Sequence, residues 1–111
     1  DFCLSRGLGD VYKRQGRNRM ERMSSLRKRI DEIDEQILRL LKERVDICEN
    51  IGMIKREQEI PVRDRQRENK QYTRMTKLAS KLGLNPQEVR AVYQEIIAMS
   101  IRAQERESHR T

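Results

Sequence analysis

Apolar residues recur every three or four positions from Leu26 onward. Leu26, Ile30, Ile33, Ile37, Leu40, Leu41, Cys48, Ile51 and Ile54 form one stripe with polar residues between them. The spacing is helical and no proline interrupts it, which predicts one amphipathic helix over residues 26–57, roughly 48 Å long. Ser24 or Ser25 suits its N-cap. Pro61 then breaks the pattern and pushes Ile60 toward an extended conformation. Asp64 can cap a second helix, expected to run to about Leu82 and to end on Gly83 as its C′ residue. Asn85, Pro86 and Glu88 read together as a third helix start, occupying the N-cap, the first helical position and the capping-box position. That helix carries Val89, Val92, Tyr93, Ile96, Ile97 and Ile101 and is expected to fray after about Glu107. The predicted fold is all-α, one long and two shorter helices, with short connections that favour antiparallel neighbours. A single phenylalanine, no tryptophan and few β-branched runs disfavour a sheet.

Residues 1–19 carry no such pattern and no apolar segment of the kind a signal peptide needs. The run DVYKRQ, Asp10 to Gln15, resembles the translation of a transposase adapter used in sequencing-library preparation. Residues 1–15 are therefore expected to be non-native, with the natural start at Met20 or Met23. The folded domain is expected over residues 20–107 and a disordered tail over 108–111.

Composition sharpens this picture in two ways. Of 111 residues, 35% are hydrophobic and 39% charged, so one copy buries a modest core and oligomerisation is expected. The net charge of +7 suggests an anionic partner, whether nucleic acid, a membrane surface or a small anion, unless it marks only a solvated, arginine-rich surface. No apolar run approaches the roughly 18 residues that span a bilayer. Cys3 and Cys48 are far apart and show no ligand spacing, which indicates neither a disulfide framework nor a zinc site. Cys48 reads as a small core residue, and a reduced, cytoplasmic setting fits.

The candidate chemistry lies where polar residues interrupt apolar faces. At 100° per residue, Arg44 falls within about 20° of Ile37 and Ile51, and Lys55 returns to within about 20° of Arg44. Buried cations need an anionic partner, although their stems could also cover the stripe while the charges reach water. On the second helix Glu68 lies within about 40° of Tyr72, Met75, Ala79 and Leu82, where it also complements the helix dipole. Arg67 is about 100° from it, either a surface residue or a supporting one. On the third helix Gln104 lies within about 20° of Ile97, with Ser100 one turn before it; both could instead be exposed at a fraying end. Taken together, two cations, a carboxylate, a hydroxyl and an amide on converging faces point to a small, multiply anionic ligand. Arg27 is about 100° from Arg44 and cannot easily serve the same pocket within one chain.

These residues fall in a familiar order. The segments LRKRIDEIDEQILRLL, ERVDICENIGMIK and PVRDRQRE, with the SxxxQ of the third helix, resemble the all-helical class of chorismate mutases across residues 26–104. The resemblance implies an intertwined homodimer whose long first helices contribute to both active sites. It also implies a role for each candidate residue. Arg44 and Arg27 of the partner subunit would grip the two carboxylates of chorismate, and Lys55 and Gln104 would bind its ether oxygen. Glu68 would bind the ring hydroxyl with help from the backbone near Asp64, Ser100 would contact a carboxylate, and Arg67 would support the site. The implied reaction is a pericyclic rearrangement to prephenate without metal or other cofactor, so His109, the lone histidine, is expected to be a bystander. Two other readings are open. An isochorismate-pyruvate lyase shares the fold but generally lacks the equivalents of Arg67 and Glu68. A basic bundle binding nucleic acid would use exposed bases such as Arg63, Arg65 and Lys70. That reading leaves the bases on buried faces unexplained; with the resemblance, neither nucleic acid nor membrane is expected as a partner.

Overall fold

The computed structural model describes residues 18–108, which form three α-helices in succession: α1 (Arg19–Glu57), α2 (Arg65–Lys81) and α3 (Pro86–Ser108). No strand occurs among the described residues. Residues 1–17 of the patternless stretch 1–19, with the adapter-like run, and His109 lie outside them.

Helix α1 begins earlier than Ser24 or Ser25. Asn18 takes the capping role: its Oδ1 accepts the Glu21 amide at 2.8 Å, and its carbonyl accepts the Arg22 amide at 3.2 Å. Residues 19–25 contain no glycine or proline, so once Asn18 nucleates the helix both serines are absorbed into its interior. The other two starts follow their local signals. Asp64 Oδ1 accepts the Arg67 amide at 3.0 Å, and Asn85 Oδ1 accepts the amides of Gln87 and Glu88 at 2.8 and 3.3 Å.

Helices α1 and α2 end in the same way. After α2, the Leu84 amide reaches back to Ala79 and the Gly83 amide to Ser80, with Gly83 at a φ of 76°. After α1, the Ile60 amide reaches Lys55 and the Glu59 amide reaches Arg56, with Glu59 at a φ of 57°. Both are Schellman closures, which need a left-handed residue at C′. Glycine meets that need freely in one turn; a glutamate is held in it in the other.

Two compact units divide the chain, Asp1–Arg39 and Leu40–Thr111. The described part of the first is the N-terminal portion of α1. None of its described residues is buried, and Met20, Ile30 and Ile37 are 67%, 55% and 49% exposed, so its apolar stripe is unpartnered within the unit. In the second unit α2 packs on α3, and the core consists mostly of small side chains: Cys48 and Gly52 from α1, Ala79 from α2, and Ile97, Ser100 and Ala103 from α3. Gly52 explains the preference for small residues. A Cβ placed there would lie 2.5 Å from the Gln104 carbonyl oxygen and 2.7 Å from its Cα, so the backbones of α1 and α3 meet with nothing between them. That contact sets the separation of the side chains on either side of it.

Candidate functional site

The second unit carries an open-sided cavity of about 370 Å³, within the roughly 300–1,000 Å³ usual for small-molecule sites. Seven of the eight residues singled out from the sequence line it: Arg44, Lys55, Asp64, Arg67, Glu68, Ser100 and Gln104. Ile51, Ile97 and Ile101 supply apolar wall. Arg27 belongs to the first unit, where it is exposed.

Each element delivers its groups by a simple local rule. The one-turn and two-turn spacing on α1 brings Arg44, Cys48, Ile51 and Lys55 to one side. The Asp64 cap fixes the first turn of α2, which carries Arg67 and Glu68. Ser100 and Gln104 are one turn apart on α3.

The hydrogen bonds define what each group can still do. Lys55 Nζ donates to the Val62 carbonyl and to Gln104 Oε1, both at 2.8 Å. An ammonium has three protons and no acceptor, so one proton remains for a ligand. Because the amide oxygen of Gln104 receives a Lys55 proton, the NH₂ end is the part left to donate. Arg44 Nη1 donates to Ser100 Oγ, whose own proton goes to the Ile96 carbonyl at 3.0 Å. Ser100 therefore steadies one edge of the Arg44 guanidinium.

Charge is unevenly matched. Among the described residues no carboxylate lies within ion-pair distance of Arg44 or Lys55, both of which are half-buried. Asp64 is engaged with its helix cap, and Glu68 is gripped by a residue outside the lining set, Arg63. Arg63 Nε and Nη2 meet the two Glu68 oxygens at 3.0 and 2.9 Å, and these hydrogen bonds raise the Arg63 guanidinium above its ordinary value. Half-buried cations without a carboxylate favour an anion in the cavity.

Three features were not foreseen from the sequence: the Arg63 clamp, the Val62 carbonyl on Lys55, and the backbone contact at Gly52. The first two depend on loop geometry, which leaves no periodic trace. The third did leave a signal, a glycine inside an otherwise uninterrupted helix.

Three helices, one of them long, around a cavity lined by cations without a carboxylate partner make a site suited to a small anion. The chain belongs to the chorismate mutase type II family, which it matches over residues 26–105. It is 40% identical over 82 residues to the bifunctional chorismate mutase/prephenate dehydratase of Aquifex aeolicus, covering 71% of this chain and 23% of that protein. It is 41% identical over 59 residues to the chorismate mutase of Methanocaldococcus jannaschii, covering 53% of this chain and 60% of the relative. A 4-amino-4-deoxychorismate mutase of Streptomyces pristinaespiralis is 29% identical over 83 residues, 75% of this chain and 64% of its own length. The chain thus spans less than two thirds of each of these relatives. Among solved structures, a conserved hypothetical protein from Pyrococcus furiosus superposes with a TM-score of 0.59 at 36% identity, over 74% of this chain and 93% of that one.

Proposed function

We propose that this chain converts chorismate to prephenate, working as a homodimer with Arg27 supplied to each cavity by the other subunit. The observation that carries the reading is the pairing of Lys55 with Gln104 in a cavity whose cations have no carboxylate partner. The exposed apolar stripe on the first half of α1 supports the dimer, because a contiguous apolar face of that kind favours association. No helix among the described residues is long and apolar enough to cross a membrane.

The reaction breaks one carbon–oxygen bond as a carbon–carbon bond forms, and no proton needs to move. The protein's task is then to hold the reactive conformer and to stabilise charge. Arg44, braced by Ser100, grips one substrate carboxylate, and Arg27 of the partner subunit grips the other. This selects the folded conformer in which the reacting carbons are close. As the ether bond breaks, negative charge gathers on its oxygen. The free proton of Lys55 and the NH₂ of Gln104 then stabilise it in a partly dehydrated site, where fixed donors act most strongly. Glu68 accepts the ring hydroxyl, with Asp64 and Arg67 at the same rim. A chorismate-consumption assay with the product identified as prephenate tests the reading. Turnover of isochorismate to salicylate faster than of chorismate to prephenate would overturn it.

A further inference from the structure

We infer that Arg63 is a positioning residue, which from outside the cavity holds the Glu68 carboxylate ready to accept the ring hydroxyl and offsets its charge; this rests on the chorismate reading above. The two residues divide the work by location. The Glu68 side chain is 15% exposed and lines the cavity, whereas the Arg63 side chain is 45% exposed and does not. The contact is a two-pronged fork, with Nε on one carboxylate oxygen and Nη2 on the other. That geometry fixes the plane of the carboxylate as well as its place. Each oxygen keeps a further lone pair for a hydroxyl donor.

The backbone around Arg63 is itself held. The carbonyl of Val62 accepts from Lys55, and Asp64 caps α2 through the Arg67 amide. A residue fastened on both sides presents its side chain from a defined origin, unlike an arginine on a free loop. The electrostatic need is equally specific. A ligand bearing two carboxylates is repelled by a bare Glu68, yet a hydroxyl requires an acceptor. Pairing Glu68 with Arg63 keeps the acceptor and cancels its net charge, leaving Arg44 and Lys55 to attract the dianion. With Arg63 45% exposed, the pair is open to water on one side and adds modestly to stability, so its loss is expected to register more in turnover than in folding.

The test is a double-mutant cycle on the purified full chain, reading kcat/KM for chorismate and far-UV circular dichroism. Arg63→Met is expected to lower kcat/KM about tenfold, on the order of one well-placed charged contact. In a Glu68→Gln background, where an amide cannot receive the fork, the same change is expected to matter less than about twofold. Arg63→Lys, which restores charge without the fork, is expected to fall between the wild type and Arg63→Met. Two outcomes overturn the inference: Arg63→Met within twofold of the wild type, or an undiminished loss in the Glu68→Gln background. Should Arg63→Met fail to fold, Arg63→Gln, which also removes the charge, takes its place in the cycle under the same criteria. A wild-type chain inactive on chorismate removes both this inference and the proposed function, whereas an active chain with an additive cycle removes this one alone.

Discussion

Lys55 donates to the side-chain oxygen of Gln104 at 2.8 Å, and that bond decides which end of the amide is offered to a ligand. Lysine has no acceptor, so the amide must turn its oxygen to the ammonium and leave its NH₂ free. The two residues therefore act as a unit in which one donor orients the other.

Replacing Gln104 by glutamate keeps the contact with Lys55 but removes the second donor whenever the new carboxylate is ionised. Activity at neutral pH is expected to fall about 100-fold or more, the usual cost of one such donor. An ordinary glutamate gains a proton only near pH 4, so the variant should recover part of its activity as pH falls, whereas the wild type shows no steep loss of kcat through neutral pH from this position. Parallel kcat/KM profiles of the two proteins between pH 5 and 8 check this; a variant without the acid-side rise contradicts it.

If each site draws Arg27 from the other subunit, two inactive variants should complement. Arg27→Ala and Lys55→Ala homodimers each lack a cation in both sites. After mixing and exchange, half the dimers are mixed and one of their two sites is intact, so activity should return to roughly a quarter of the wild-type level. Activity that stays at the level of the separate variants, with subunit exchange shown by mass spectrometry, rules the shared site out.

Gly52→Ala tests the contact between α1 and α3. The added methyl would sit 2.5 Å from the Gln104 carbonyl oxygen, so the helices must part. Overpacking costs about 1–3 kcal/mol, and a clash with backbone at 2.5 Å belongs at the upper end, above the roughly 1 kcal/mol that alanine gains over glycine in a helix. Urea unfolding should show a net loss of stability. Because the same movement draws Gln104 from Lys55, kcat should drop as well. A stable variant of unchanged kcat would mean that the backbones can separate without consequence.

Gly83→Ala should separate stability from function. At a φ of 76° an L residue is strained by about 1–2 kcal/mol, offset in part by a stiffer unfolded chain, for a net loss of about 1 kcal/mol. Gly83 does not line the cavity, so kcat/KM at 25 °C should be unchanged. Glu59→Gly, at the equivalent turn after α1, should shift the urea midpoint little or slightly upward. Unfolding curves and steady-state rates on the same samples decide both.

Local signals carried most of the fold. Asp64, Asn85 with Pro86, and Gly83 each act within a few residues of themselves, so caps and stops could be placed without tertiary information. Ser24 and Ser25 show where that fails. A serine serves as a cap or as an interior residue depending on what precedes it, and the decisive Asn18 lies in the stretch 1–19, which carries no apolar pattern. The cavity was legible for the same reason as the helices, since Arg44, Lys55, Glu68 and Gln104 are brought together by helical period. Arg63 was not. It sits before the helix that carries Glu68, where no period applies, and its exposed position suggested a free surface base.

The connection between α1 and α2 has no slack. Val62 holds Lys55 by its carbonyl, Arg63 holds Glu68 by its side chain, and Asp64 holds the start of α2. Three consecutive residues thus fasten three different points, and inserting or deleting one residue would move all three out of register. Loops usually accommodate changes in length more readily than the helices they join. Here the spacing between helices is part of the site, so natural variation in loop length is to be sought at the α2–α3 turn and not at this one.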